Sequence, residues 1–293
     1  MLCDLNIPWP ASAVNVQANV DAARRTAGDL AALGFHVVAF NQTVTGKLAP
    51  SLKSAISIVD PSEWKHDAYL VMTARGRGNA SAIKQITRLT VILEDASQVS
   101  SLSPGNPVLD QFDLFAVTPT SEKMWAAACQ TIECDIISLD MTQRLPFPFR
   151  HTMINEAIRR GIVFEVVYSG AFKDNTAKRN LISNASNLLR VTKGKHVIFS
   201  SGAKSALETR GPLDVVNLAC LFGASQDAAR HSITLSCRAA LIHAETRRST
   251  YRATASAEAA SKLEPVESWK FGLGGDEDFV GFEKDESDGM EVE

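Results

Sequence analysis

The sequence lacks the motifs that carry several common kinds of catalysis and nucleotide binding. It contains no G-x-S-x-G segment, no G-x-x-x-x-G-K loop and no G-x-G-x-x-G after an apolar run. These absences argue against a serine hydrolase of that type, a P-loop site and a dinucleotide site. The six histidines include no H-x-H or H-x-x-x-H pair, so the pattern does not indicate a histidine metal centre. A site built from carboxylates alone is conceivable, because four aspartates follow apolar runs: Asp4, Asp60, Asp95 and Asp140.

Cysteine is scarce, and long apolar runs are missing. Five cysteines, none in a C-x-x-C pair, form an odd set that favours reduced, mostly buried thiols over a disulfide framework or a zinc site. No apolar run approaches the roughly 20 residues that span a bilayer, and Asp4 places an acid where a secretory leader is basic. We therefore expect a soluble intracellular protein with no membrane partner.

The net charge of −3 is unevenly distributed. Residues 257–293 contain 12 acids and three lysines, a net charge of −9, which leaves +6 on residues 1–256. A basic body suits a polyanionic partner. Few aromatic residues accompany the basic ones, which favours contact with a phosphate backbone over base stacking. The acidic composition predicts that residues 253–293 form a disordered tail, with residues 1–252 as the folded domain.

Short apolar runs alternate with segments of helical period through residues 1–250, as they do in parallel βαβ units. The runs are rich in Val, Ile and Phe with little polar alternation, which is typical of strands covered on both faces. The seven runs are residues 2–7, 36–40, 89–93, 114–117, 136–139, 163–168 and 197–199. About seven parallel strands with surrounding helices predict an irregular, TIM-barrel-like α/β fold, and an open doubly wound sheet is the alternative.

The intervening segments repeat apolar residues at spacings of three and four, as one face of a helix does. Examples are Leu181, Ala185 and Leu188. Ser225 is placed to cap a last helix whose buried stripe would be Ile233, Cys237, Ala240, Leu241 and Ala244. Residues 45–82 break the alternation with prolines and an Arg-Gly cluster, so we expect an insertion or a long loop there.

Two strand ends resemble each other. Residues 166–171 (VVYSGA) align with residues 198–203 (IFSSGA), about one βα unit later, and a lysine follows each, Lys173 and Lys204. Small residues let a chain turn away from a crowded strand end. Alternatively, exposed backbone N–H groups, hydroxyls and lysines could converge there on an anion. The sequence leaves both explanations open.

Basic residues gather around these two strand ends in the sequence, as contact with nucleic-acid phosphates requires. The candidates are Lys173, Lys178, Arg179, Lys193, Lys195, Lys204 and Arg210. Candidate structural positions are Asp4, Asn6, Ser201, Gly202, Gly211 and Pro212. Pro212 suits a first helical turn, and Gly211 would permit the bend before it. We expect the cations to lie along one edge of the fold.

Several stretches together resemble the thirty-kilodalton protein subunit family of eukaryotic ribonuclease P and ribonuclease MRP. They are MLCDLNIPW (1–9), RLPFPFRHTMINEAIRRGIVFEVVYS (144–169), SSGA (200–203), RGPLDVVNL (210–218) and CRAALIHAETRR (237–248). The stretches occur in the family's order, and it is their combination that is specific. Residues 45–82 and the acidic tail do not share the likeness.

The resemblance implies a TIM-barrel-like, noncatalytic subunit of an enzyme whose catalyst is RNA. That enzyme removes the 5′ leader from precursor tRNA, and the related MRP particle processes rRNA precursors. The implied partners are the ribonuclease P and MRP RNAs, precursor tRNA, small ferredoxin-like subunits and other subunits of the particle, in the nucleus and nucleolus. The protein would bind no cofactor, and magnesium would be held by the RNA. The alternatives are a stand-alone metal-dependent phosphoesterase on the same barrel, for which Asp4 would be essential, and a pure protein-interaction scaffold.

Overall fold

The chain forms a ring of parallel strands surrounded by helices. A computed structural model describes residues 1–10, 16–57, 83–103, 105–172 and 174–249, with 16–19 described by backbone alone. The strands are β1 Cys3–Trp9, β2 Val37–Thr45, β3 Lys84–Leu93, β4 Leu114–Pro119, β5 Ile136–Leu139, β6 Val163–Val167 and β7 Val197–Ser200. The helices are α1 Val16–Ala32, α2 Glu122–Gln130, α3 His151–Arg159, α4 Asn175–Thr192, α5 Pro212–Leu221, α6 Gln226–Ser232 and α7 Leu235–Ser249. None of these helices is long and apolar enough to cross a membrane.

The strands lie in chain order from β1 to β7, and every neighbouring pair is parallel. The end of β7 returns to β1, where the Gly202 N–H donates to the Asn6 carbonyl over 2.9 Å. The ring is therefore a nearly closed barrel, and the predicted TIM-barrel-like fold is confirmed. The doubly wound alternative is wrong, since its strand order reverses at a switch point.

Two strands extend at least four residues beyond their apolar runs. β2 continues through Asn41 and Gln42 to Thr45, and β3 begins at Lys84 and includes Arg88. The predicted strands were limited by the first polar residue on either side of each apolar run. In the structure, Asn41, Gln42 and Arg88 are buried within the longer strands. Of the predicted insertion, residues 45–57 are described and include the buried Leu48, and residues 58–82 lie outside the described part. The predicted tail at 253–293 also lies outside it.

The barrel interior is built in two layers. Side chains two apart on a strand share a face. The inward-facing residues nearest the beginnings of the strands form one apolar cluster, the lower layer. Its members are Cys3, Leu5, Val37, Ala39, Ile86, Leu114, Ala116, Ile136, Val163 and Ile198, together with Cys237, Ala240 and Ala244 of α7. Helix α7 thus closes the end of the barrel at which the strands begin. The next positions along several strands carry polar side chains, which form the second layer.

The predicted last helix is in fact two helices. The Ser225 side chain caps α6 by accepting from the Ala228 N–H, but α6 ends at Ser232 and α7 begins at Leu235. Ile233 lies at the break, where its carbonyl accepts the Cys3 N–H over 3.1 Å. Contact with the edge of β1 therefore interrupts a pattern whose spacing alone suggested one continuous helix.

Candidate nucleic-acid interface

A buried ion pair occupies the upper layer of the barrel interior. Arg88 of β3 donates through both terminal nitrogens to the two carboxylate oxygens of Glu165 on β6, each over 2.6 Å. Both side chains are 0% exposed. The guanidinium also reaches the Leu5 carbonyl at 2.7 Å and the Thr90 hydroxyl at 3.1 Å. An ion pair taken out of water in this way is tolerated only with such additional hydrogen bonds.

The polar layer extends around Glu165 to most of the other strands. Asn6 of β1 donates to its carboxylate over 3.3 Å, and Asn6 in turn accepts from Asn41 of β2 at 2.8 Å. Hydroxyls of Ser138 on β5 and Ser200 on β7 also bind the carboxylate. Burial alone would raise the pKa of Glu165, but Arg88 and these hydrogen bonds outweigh it and hold the pKa below its ordinary value.

The sequence contained a signal for this cluster that the pattern reading missed. Glu165 stands in the middle of the apolar run Val163–Val167, and Arg88 directly precedes another such run. A charge inside a strand covered on both faces requires a buried partner of opposite sign. Pairing the two would have predicted that β3 and β6 face one another across a closed ring.

Asp4 lies beside this layer with its carboxylate already engaged. The N–H of Asn6 donates to it over 3.2 Å, and the N–H of Ser201 donates over 3.1 Å. Burial raises the pKa of Asp4 to about 6, although the hydrogen bonds from Ser201 and Asn6 oppose the rise. Asp4, Asn6 and Ser201 therefore join β1 to the end of β7 and complete the ring.

The carboxylates named for a possible metal site are not assembled by the structure. Asp95 binds Ser97 in its own loop at 3.1 Å, and Asp140 binds Thr142 at 2.6 Å. Asp60 lies outside the described residues. Across the described part of the chain, no three His, Cys, Asp or Glu side chains are grouped so that they could hold a metal ion.

The two Ser-Gly-Ala ends lie side by side, since the Tyr168 N–H donates to the Ser200 carbonyl over 3.1 Å. A Cβ on Gly202, which has φ +60°, would lie 2.3 Å from Val167 Cγ1. A Cβ on Gly170 would lie 2.2 Å from Thr142 Cγ2. Small residues are required here by close packing, as the steric explanation predicts.

The backbone N–H groups of the second strand end are not available to an anion. Those of Ser201 and Gly202 donate to Asp4 and Asn6, and that of Ala203 donates to the Ser201 hydroxyl over 3.3 Å. The Lys204 N–H donates to the Glu208 carboxylate over 2.8 Å. At this strand end the expectation of exposed N–H groups is wrong, because closing the ring and the following turn uses them. Here an anion contact must come from side chains.

Four of the predicted cations lie at the face where the strands end: Lys178, Arg179, Lys204 and Arg210. We call them the strand-end group. Lys178 and Arg179 are exposed near the start of α4, whose cap is Asp174, and Lys204 is exposed after β7. The Arg210 guanidinium stacks 4.3 Å from the ring centre of Phe172, which is 48% exposed. This contact adds an exposed aromatic ring that the sequence reading did not single out.

The other predicted cations do not join that group. Lys193 and Lys195 follow α4, at the face where β7 begins. Lys193 follows Lys178 by 15 residues along α4, which corresponds to a separation of about 22 Å between the two sets. The prediction of one basic edge is therefore wrong, because residues close in sequence are separated by a long helix. Lys173 lies outside the described residues.

Gly211 and Pro212 begin α5. Pro212 occupies the first turn, as expected, and the Val215 N–H donates to the Gly211 carbonyl over 3.0 Å. Gly211 has φ −64°, which any residue adopts, so the bend does not require glycine. A Cβ there would approach the Asp214 carboxylate to 3.3 Å, so the constraint is one of space.

The last resembling stretch, 237–248, closes the opposite face. Asp135 is fully buried and binds His243 Nδ1 at 2.8 Å and an Arg247 nitrogen at 3.1 Å. Its carboxylate also accepts the Phe115 N–H over 2.8 Å. Arg248 binds Asp113 at 2.6 Å in the same way. These side chains fix α7 to the starts of β4 and β5, so the motif is explained by folding.

Comparison with known proteins agrees with this architecture. The sequence model described as RNase P subunit p30 matches residues 1–249. "Probable ribonuclease P protein subunit 3" of Schizosaccharomyces pombe is 37% identical over 252 residues, covering 86% of this chain and 97% of that protein. "Ribonuclease P/MRP protein subunit RPP1" of Saccharomyces cerevisiae is 31% identical over 231 residues, covering 78% and 75%.

A solved structure shares the fold. A chain in the structure titled "cryo-EM structure of archaeal Ribonuclease P with mature tRNA" superimposes with a TM-score of 0.58 at 14% identity, covering 88% of this chain and all of that one. The family resemblance predicted from the sequence is confirmed by the match over residues 1–249. This chain belongs to the ribonuclease P subunit p30 family.

Proposed function

We propose that this chain is a noncatalytic protein subunit of the ribonuclease P and ribonuclease MRP ribonucleoproteins. It supports RNA-catalysed removal of the 5′ leader from precursor tRNA and the processing of rRNA precursors. The observation that carries the proposal is the family match, which includes every described strand and helix. The name of the Saccharomyces cerevisiae relative supports membership of both particles.

A noncatalytic role is supported by the way the barrel is filled. Enzymes built on α/β barrels bind their substrates at the end where the strands finish. Here the charged pair inside the barrel, Arg88 and Glu165, is fully buried and its members bind each other, so neither faces a substrate at that end. Asp4, which a metal-dependent phosphoesterase would need as a ligand, is 1% exposed and accepts hydrogen bonds from Asn6 and Ser201. Under this proposal magnesium is held by the RNA and the protein binds no cofactor.

The strand-end group is the proposed contact with the RNA backbone. Lys178 and Arg179 are exposed. Arg210 is held by the Phe172 ring and by hydrogen bonds to the Leu207 and Thr209 carbonyls. Lysines and arginines of this kind neutralise phosphates without reading sequence. Under the same proposal the chain resides in the nucleus and nucleolus, with precursor tRNA and small ferredoxin-like subunits among its partners.

Charge reversal with a matched control tests this contact. Lys178→Glu changes an exposed lysine near the start of α4, and Lys123→Glu changes an exposed lysine near the start of α2. Affinity of the full-length chain for the particle RNA is measured across a salt titration. We expect Lys178→Glu to weaken binding most at low salt and to reduce the log–log salt slope by about one per lost phosphate contact. Lys123→Glu should match the parent.

Equal affinity and slope for Lys178→Glu and the parent would contradict the assignment of the strand-end group. Both changes should leave the fold intact, since exposed charges contribute little to stability. Circular dichroism of each variant checks that point before binding is compared.

A further inference from the structure

A cavity of about 470 Å³ lies at the face opposite the strand-end group, between the turn after α4 and helices α6 and α7. Its volume is within the range of pockets that hold small ligands. The polar side chains in its lining are Lys193, Lys195, His196, Ser225, Asp227, His231 and Ser236. Leu235 and Ala239 of α7 contribute an apolar wall. Of these residues, the sequence predicted contact with phosphate only for Lys193 and Lys195.

The lining favours an anion. Lys193 and Lys195 are exposed, and neither forms an ion pair with any residue that the structure describes. Asp227 is the one acid in the lining. The Nδ1 atom of His196 is buried and has no hydrogen-bond partner within the described part of the chain.

The turn that carries these groups has an uncommon backbone. Lys193 and His196 have φ values of 55° and 53°, and they are the only non-glycine residues with positive φ in the described ranges. Lys193 is the C-cap of α4, where a left-handed residue is a common helix ending, and His196 adopts the same conformation just before β7. The turn is held firmly: the Phe164 N–H donates to the His196 carbonyl over 2.9 Å, and a Cβ on Gly194 would lie 2.8 Å from Ala228 Cβ. Both cations are therefore presented from a fixed support.

We propose that this cavity binds a phosphate of the RNA backbone through Lys193 and Lys195, with the adjoining ribose against Leu235. It is a second RNA contact, separate from the strand-end group and about 22 Å from Lys178 along α4. The inference rests on the proposed function, because that function supplies the RNA. It means that the barrel touches RNA on two faces and holds two backbone segments apart.

The test uses tagged full-length variants assembled in native particles, with hydroxyl-radical footprinting of the RNA backbone. The pocket variant is Lys193→Asn with Lys195→Gln, because asparagine tolerates positive φ and so removes charge with little strain. The strand-end variant is Lys178→Glu. The control is Arg190→Glu, an exposed cation on the last turn of α4 that does not line the cavity.

We expect the pocket variant to lose protection over one backbone segment and the strand-end variant to lose it over another, while the control keeps both. The pocket variant should also lower the salt slope of RNA binding by about one, as expected for one lost phosphate contact. If the parent protects RNA and the pocket variant protects the same segments as strongly, the second site is refuted and the proposed function stands. Loss of one shared segment in both variants would refute two separate sites. If even the parent brings down no particle RNA, the proposed function fails, and the second site fails with it.

Discussion

The buried Arg88–Glu165 pair allows a matched test of what an ion pair contributes inside this barrel. The exposed pair Arg159–Glu156 has the same 2.6 Å separation, but its side chains are 73% and 36% exposed. Glu→Gln at each carboxylate removes the charge with almost no change of shape. Glu165→Gln leaves the Arg88 charge buried without compensation, which costs about 3–5 kcal/mol. Glu156→Gln should cost less than about 1 kcal/mol.

Thermal and urea unfolding of the full-length chain measure the difference. For a domain of this size, 3–5 kcal/mol corresponds to a fall in Tm of roughly 6–20 °C, against a few degrees for Glu156→Gln. Arg88→Met combined with Glu165→Leu should recover much of the loss, because no unpaired charge then remains in the interior. Equal and small losses of stability for the two single variants would refute the conclusion that the fold depends on pairing the buried Arg88 charge with Glu165.

Two further predictions concern the junction of β1 and β7. Gly202→Ala should destabilise the fold by roughly 2–5 kcal/mol in urea unfolding, because it combines positive φ with a clash. Gly46→Ala, at φ +89° with open space around it, should cost less, and equal losses would count against the clash. The second prediction concerns Asp4, whose pKa is raised to about 6. Between about pH 4 and pH 6 the folded state keeps a proton on Asp4 that the unfolded chain has released. The free energy of unfolding therefore falls as pH rises through this window. The parent's free energy of unfolding minus that of Asp4→Asn should therefore fall by about 1–3 kcal/mol across that window, and a flat difference would show that Asp4 titrates normally.

The barrel could be predicted from the sequence because its strands are covered on both faces. Seven apolar runs without polar alternation, separated by segments of helical period, are what parallel βαβ units require. The end of β2 and the beginning of β3 could not be predicted in this way. Asn41 and Arg88 read as the limits of apolar runs, whereas the closed ring provides them with buried partners on strands distant in the sequence. Hydrophobic periodicity is local, and such partners are not.

The same limit applies to the candidate site. Residues Lys178 and Lys193 look equivalent in a basic stretch of sequence, and only the length of α4 separates them onto two faces. The cavity beside Lys193 also depends on α6 and α7, whose separation at Ile233 follows from a contact with β1. By contrast, the steric explanation of the small residues at the strand ends was correct. Gly202 has a positive φ and no room for a Cβ, and both requirements are signalled by the glycine itself.

The most direct test of the central claim is a tagged purification of the full-length chain from its native cells, with the co-purifying RNA sequenced and the eluate assayed for precursor-tRNA cleavage. The account predicts recovery of the ribonuclease P and MRP RNAs and 5′-leader removal that RNase pretreatment abolishes. Recovery of the protein without these RNAs, or leader removal that survives destruction of the RNA, would contradict it.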